Sequence, residues 1–528
     1  MAGSRVGRMS QRESLTGRAV TAMAVGAVAL ASLVAGSSAA TAATGQAKAS
    51  VKWSACPAYS DDVIRSLVVS DEQLRNFRAL LGRMECGTVS VPLDYRKPRG
   101  RQITIAITRV KAVDRKHRLG SLALNPGGPG GAGYLFPLQI ASMNQANAKL
   151  NDRYDLIGFD PRGVGYSTKV ECRAMGGQAP EPGPLTEAAA KRIHDSGMAN
   201  NKACGSSDPA FLGQLTTLNS ARDLDWVRIA LGERKLNFLG ISWGTWLGAV
   251  YRSTFPGSVG RMFLDSVSPV RFRLDDFEDG HAAGTERSFG RMAAWIAERN
   301  DTYGLGTTSK EVRTTVLALR RAYDEKPKRY SDWEMVADGA TVAMLAIQSA
   351  PDWPQVAQAF KEMQDEGDTA PPALRKLLGQ GALKPPPADA PERFNATTGQ
   401  AVFCNEDPSR LGFSDAWTTY QRRLERNPVT GRASRFSAQC AGWPLPVQET
   451  KVHRTGGSLV LAGHRYEAVS LYEWTKQMHA AIGGTVFTVD DDVHGSVLRV
   501  PNCATKLVSY FNTGRIDSGC DGTPVPEK

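Results

Sequence analysis

The chain has 528 residues, with 41% hydrophobic and 22% charged residues and a formal net charge of +11. That length suits one large domain carrying a big insertion, or two domains. The basic excess is scattered rather than gathered in blocks, so it reads as a solvated surface and argues against nucleic acid as a partner.

Residues 1–43 read as a segment to be removed. Arg5, Arg8, Arg12 and Arg18 form a positive n-region, Ala19 to Ala35 an apolar run, and Ala40-Thr41-Ala42 a small-residue cleavage site, the order of a secretory signal peptide. A transmembrane anchor is the competing reading. The run is only about 17 residues long, rich in Ala and Gly and followed by small residues, which favours the signal peptide. No Cys stands near the cleavage site to take a lipid, and no Arg-Arg pair suggests twin-arginine export. No later segment is apolar enough to span a bilayer. A secreted protein without a stable membrane anchor is expected. Removing residues 1–42 takes four Arg and one Glu and leaves a net charge of +8.

All eight cysteines lie beyond that segment, and an even count in an exported chain favours disulfides. Taken in order they fall as four local couples, Cys56–Cys86, Cys172–Cys204, Cys404–Cys440 and Cys503–Cys520. Zinc is the rival use of cysteine, but no C-x-x-C or H-x-x-x-H spacing occurs, so no metal is expected.

Gln102 to Val110 (QITIAITRV) alternates polar and apolar and reads as a strand. Gly120 to Asn125 is a short buried strand running into Pro126-Gly127-Gly128-Pro129-Gly130-Gly131-Ala132-Gly133. Tyr154 to Asp160 is a third strand, broken at Pro161-Arg162-Gly163-Val164-Gly165. Residues 166–216 look irregular, Leu218 to Leu231 is an amphipathic helix, and Lys235 to Ile241 and Arg261 to Asp265 are the next strands. Short apolar runs alternating with helices argue for a mostly parallel sheet covered on both faces. From Val270 to about Arg454 the periodicity is helical, as in Glu311 to Tyr323 and Val336 to Gln348, with no series of strands. Within it, the Pro-rich stretch Ala370 to Pro391 reads as a mobile connector. The sheet pattern resumes with strand Ser458 to Ala462, helix Tyr472 to Ala481, strand Thr485 to Val489 and a last helix from about Cys503 to Phe511. The expected organisation is therefore an α/β domain in two parts, 44–269 and 455–528, interrupted by a helical cap insertion, 270–454.

The stretch that carries chemistry is Leu236 to Val250, LNFLGISWGTWLGAV. It reads as strand, sharp turn Gly240-Ile241-Ser242-Trp243-Gly244, then helix, the form of a nucleophile elbow. Chance alone supplies roughly 0.3 matches to Gly-x-Ser-x-Gly in a chain of this length and glycine content, so the weight must come from its surroundings. A serine hydroxyl needs a base, and on this fold the acid and then the histidine follow the serine in the chain. His494, in the loop after the last strand, is placed to be that base. The loop after the Ser458 strand holds one carboxylate, Glu467, which would orient the imidazole and stabilise its charged form. Asp490, Asp491 and Asp492 are rivals, but residues so close to His494 on one loop seldom point correctly. Oxyanion donors are expected at the Trp243 backbone N–H and in the glycine-rich turn, at Gly128. A phosphate loop is the other use of such glycines, but no Lys-Ser or Lys-Thr follows, and no cofactor is implied.

At this point the chain resembles a family. NPGGPGGAG, FDPRGVGYS, GISWGTWLG, CNED, and CAGWP followed by the acid loop and a final HG look like the secreted actinobacterial tripeptidyl aminopeptidases, α/β-hydrolase serine peptidases related to the prolyl aminopeptidases. The resemblance runs from about Trp53 to Cys520. It implies the α/β-hydrolase fold, a triad of Ser242, Glu467 and His494 with oxyanion donors Gly128 and Trp243, and peptide substrates that lose short pieces, typically three residues, from free N-termini. An aminopeptidase must also hold the substrate ammonium, and Glu406 and Asp407 in the CNED motif are candidates, with a structural turn-capping role as the alternative. The chain departs from the family at the acid loop, which commonly reads Asp, two residues, Thr-Pro. Here it is Glu467-Ala468-Val469-Ser470-Leu471, and Val493 stands where the family often has glycine. An esterase on the same fold and a catalytically inactive binding relative are the other readings of these residues.

Overall fold

The computed structural model describes residues 49–172, 181–365, 367–379, 387, 389–437 and 439–527; the expected signal peptide lies outside them. Among these, one sheet of ten strands is built from β1 (Val51–Ser54), β2 (Met84–Pro92), β3 (Gln102–Val110), β4 (Gly120–Asn125), β5 (Tyr154–Phe159), β6 (Leu236–Ile241), β7 (Val259–Asp265), β10 (Leu459–His464), β11 (Thr485–Val489) and β12 (Gly519–Cys520). Two short strands, β8 (Lys328–Arg329) and β9 (Val336–Ala337), pair with each other outside it. The order is β1-β2-β3-β5-β4-β6-β7-β10-β11-β12. Pairing is antiparallel as far as β3–β5 and parallel from there on. The chain thus has an α/β-hydrolase fold, with a mostly parallel central sheet.

The alternation of side chains along each strand divides the apolar residues between two cores. Ile103, Ile105 and Ile107 of β3, Phe238 of β6 and Met262 and Leu264 of β7 face one core, while Ala106, Leu239 and Phe263 face the other. That is why the central strands read as unbroken apolar runs: helices cover both faces. Pairing runs from β4 outward in both directions, so the strand order reverses beside it. A crevice opens at the carboxyl ends of strands at such a reversal. The glycine-rich turn after β4 and the elbow after β6 both lie there.

Residues between β7 and β10 hold a third apolar core, including Phe289, Trp295, Val316, Leu345, Trp353 and Phe360. Two expectations are corrected in the helical parts. Residues 166–216, read as irregular, contain helix α1 (Glu187–Ser207). Its inward stripe is Ala190, His194, Asn201 and Gly205, small and polar residues that give no apolar period. Asn201 Nδ2 donates instead to the carbonyls of Gln439 and Ala441, and Gly205 lies against Pro444. Val336 to Gln348, read as one helix, starts with β9, and its helix begins only at Gly339, where Asp338 and Thr341 form a reciprocal cap. The Pro-rich connector is described only in part, with a helical turn at Pro372–Leu374; 380–386 and 388 lie outside the described residues. All four cysteine couples are bonded as the order of the chain suggested.

Candidate active site

The elbow follows from sterics. Ser242 stands between β6 and helix α2 (Trp243–Thr254) at φ 58° and ψ −126°, a conformation L residues rarely adopt. A Cβ on Gly240 would lie 2.4 Å from the Gly244 carbonyl oxygen, and one on Gly244 would lie 2.7 Å from Asn125 Oδ1, so both flanking positions demand glycine. The turn is held both by its own helix and by neighbouring segments. Ser242 N donates to the Asp265 carbonyl at 3.0 Å, and the Ser242 carbonyl accepts from Thr245 Oγ1 at 2.7 Å and Ser268 Oγ at 2.9 Å.

Trp243 is the first residue of α2, where no intrahelical carbonyl can accept its N–H. The glycine-rich turn lies directly on it. A Cβ on Gly127 would stand 3.0 Å from Ser242 Cβ and 3.3 Å from Trp243 N. Gly127 and Gly128 have φ of 103° and 128°, and the Gly127 N–H is fixed by Asn125 Oδ1 at 3.0 Å. On its other edge the turn is stitched to a distant strap. Ala132 N donates to the Arg393 carbonyl at 3.0 Å, and Asn395 N to the Gly130 carbonyl at 2.9 Å. Beside Gly127 and Gly128 opens a cavity of about 410 Å³, walled by Tyr134, Tyr166, Glu392 and Phe394.

Glu467 and His494 meet. His494 Nδ1 lies 2.5 Å from Glu467 Oε1; the glutamate side chain is fully buried, and the imidazole is one-third exposed. Glu467 Oε1 also accepts from Ser470 N at 2.9 Å, and Oε2 from Ser266 Oγ at 3.0 Å. Ser266, itself at φ 56°, accepts from Gly495 N at 2.8 Å, so one hydroxyl joins the acid loop to the histidine loop. A Cβ on Gly495 would lie 3.0 Å from Ile241 Cγ2, which sets the histidine loop against the elbow. The three aspartates of the same loop go elsewhere. Asp490 pairs with Arg465, Asp491 with His464, and Asp492 with Arg291 and Ala350 N.

Glu406 and Asp407 end helix α3 (Ala396–Glu406), and their carboxylates diverge. Glu406 is buried, accepts from Thr217 N and Oγ1 and from Trp246 Nε1, and lines a cavity with Trp246 and Phe272. Burial pushes its carboxyl up to about 7. Asp407 accepts from Ser409 N and Oγ and lines a different cavity with Asp275 and Glu278. Sequence reasoning passed over Ser266, which carries no motif. It also passed over the aromatic stack Phe403–Phe272–Phe277–Trp474, whose ring centroids are 4.9, 6.2 and 5.2 Å apart in succession. The strand expected over Ser458 to Ala462 runs on to His464, which pairs in parallel with Val489.

Residues 121–386 match the family model of the α/β-hydrolase fold, and residues 427–523, which hold Glu467 and His494, match that of TAP-like proteins. The chain is 32% identical over 460 residues to the tripeptidyl aminopeptidase of Streptomyces lividans, covering 82% of each chain. It belongs to the tripeptidyl aminopeptidase family of α/β hydrolases. It is also similar to the serine protease Hip1 of Mycobacterium bovis, 26% identical with 81% of this chain and 85% of the relative covered. Carboxylesterase B of Mycobacterium tuberculosis is 28% identical, with 87% of each chain covered. A tripeptidyl aminopeptidase-type chain of this kind is an enzyme, a serine hydrolase.

Proposed function

We propose that the protein is a secreted serine exopeptidase that releases short peptides, of three residues, from free N-termini, with the helical segment 270–454 acting as a cap over the site. The observation that carries the triad is the 2.5 Å contact of His494 Nδ1 with the buried Glu467 carboxylate, on a loop that abuts the elbow. His494 Nε2 takes the Ser242 proton as Oγ attacks the scissile carbonyl. The carbonyl oxygen becomes an oxyanion facing the N–H groups of Gly128 and Trp243. His494 then returns the proton to the leaving amine, and water releases the acyl group by the same steps. Glu467 holds the ring in the tautomer that leaves Nε2 free to accept. Its longer side chain is accommodated because Ser470 N and Ser266 Oγ fix both carboxylate oxygens.

For the substrate ammonium the proposed partners are Glu406 or Asp407 as alternatives, since their carboxylates line different cavities. An incoming cation would draw the Glu406 carboxyl, pushed up to about 7 by burial, back to its charged form. Export is supported by the four disulfides, and among the described residues no helix is long and apolar enough to cross a membrane.

A second reading, an esterase, is favoured by the similarity to carboxylesterase B. A panel of chromogenic tripeptide amides with free or acetylated N-termini, beside simple esters, separates the two. The peptidase reading expects cleavage of the free tripeptide amides, with mass spectrometry showing tripeptides leaving an unblocked peptide. Turnover confined to esters or acetylated peptides would sink it.

A further inference from the structure

A second histidine is held between carboxylates beside the proposed triad. His464, at the end of β10, is fully buried, with Nε2 2.9 Å from Asp265 Oδ1 and Nδ1 2.6 Å from Asp491 Oδ1. An ionised carboxylate only accepts hydrogen bonds, so both ring nitrogens must donate and the ring is an imidazolium. The three residues stand at the carboxyl ends of three neighbouring strands. Asp265 ends β7, His464 ends β10, and Asp491 follows β11 by two residues.

Each of those ends carries part of the site. The Asp265 carbonyl accepts Ser242 N, and the next residue is Ser266, which bonds both Glu467 and Gly495. Glu467 comes three residues after His464, and His494 three after Asp491. Asp491 secures its own loop through Ser496 Oγ at 2.6 Å and Thr523 N at 2.8 Å, and its carbonyl accepts from Tyr466 N at 3.0 Å.

We infer that His464 is a positioning residue, a buried imidazolium that clamps the ends of β7, β10 and β11 and so sets Glu467 and His494 against Ser242. The inference rests on the proposed triad. Burial works against the charge, but Asp265 and Asp491 outweigh it and hold the ring well above the usual histidine range. Stability alone does not call for three ionised groups here, since apolar packing of the same volume often does as well as a buried ion pair. The Asp265 Oδ2 atom is buried and has no hydrogen-bond partner among the described residues.

The test uses the full mature enzyme with a fluorophosphonate probe, which reports Ser242 reactivity independently of peptide preference, beside kcat and KM on a tripeptide amide. His464→Gln removes the imidazolium, and Asp265→Ala removes one of its anchors. Asp265→Asn keeps the acceptor Oδ1 and puts its amide where Oδ2 now has no partner. His464→Gln and Asp265→Ala are expected to lower labelling and kcat by roughly 100-fold, the loss that a misplacement of about 1 Å produces. KM should stay within about twofold, because ground-state binding is untouched, and Asp265→Asn should lose less than about tenfold. Wild-type labelling with an unchanged Asp265→Ala variant overturns the clamp and leaves the triad standing. An Asp265→Asn variant as poor as Asp265→Ala overturns it too. Failure of both His464→Gln and Asp265→Ala to fold would assign the cluster to the fold instead and equally overturn it. Absence of wild-type labelling would sink the triad and this inference together.

Discussion

Two histidine–carboxylate sites stand side by side at the ends of the same strands, and they differ in how many anions each ring faces. His494 meets one carboxylate, makes no hydrogen bond through its other nitrogen among the described residues, and is one-third exposed. His464 meets two carboxylates, has neither nitrogen free, and is fully buried. The chemistry of the ring is the same in both. A base must gain and lose a proton within each turnover, which requires a free nitrogen and a single anion to orient the other. A second anion makes the proton permanent and turns the ring into a strut. Exposure and anion count, not residue type, separate the two roles.

The sharpest break of that contrast is at the single anion. Glu467→Gln should lower kcat by about 10⁴-fold, because an amide no longer selects the productive tautomer, as measured by steady-state kinetics on a tripeptide amide. Glu467→Asp keeps the charge but withdraws it by one methylene. A loss of about 100-fold is expected, since Ser470 N and Ser266 Oγ hold the carboxylate at the longer reach.

Stability should divide the two histidines the other way. His464→Gln leaves two buried carboxylates without their cation and should cost about 3–5 kcal/mol in urea unfolding, whereas His494→Gln at its partly exposed site should cost less than about 1 kcal/mol. The effect of pH has a definite sign. The folded-state value of His464 lies above 6.5, so its contribution is complete below pH 6.5 and is lost as pH rises through the raised value. Asp491 is held below 3.8, chiefly by the His464 cation against the cost of its burial, so its contribution is present above pH 3.8 and is lost as pH falls. The difference in Tm between wild type and His464→Gln should therefore be greatest near about pH 5 and shrink on the alkaline side. The smallest effect belongs to Asp490→Asn. Its partner Arg465 and Asp490 itself are each about half exposed, and both Tm and kcat should stay within error, at less than about 0.5 kcal/mol.

The order proposed for the triad rests on local marks in the sequence. Ser242 sits in a glycine elbow, Glu467 is the one carboxylate of its loop, and His494 follows the last apolar run. Seven strands of the main sheet, β3 to β7, β10 and β11, were legible for the same reason, while β1, β2 and β12 were not, and Thr485–Val489 was found to the residue because Gly483-Gly484 and the aspartates bound it. The support around the site was not legible. Asp265, His464 and Asp491 are polar residues at strand ends, 199 and 27 positions apart, and nothing local distinguishes a buried ion cluster from polar loop residues. Helix α1 was missed because its inward face is small and polar. The strap was missed because it binds through backbone groups that any sequence would offer.

That strap bears on which chains the enzyme can accept. The Gly130 carbonyl and Ala132 N–H are already spent on residues 393 and 395. An extended segment of a foreign protein therefore finds no open edge there to join as an added strand, which is how many clefts grip the middle of a polypeptide. On the exopeptidase reading proposed above, selection would fall instead to termini and side chains, and folded proteins with tucked-in ends would pass the enzyme untouched.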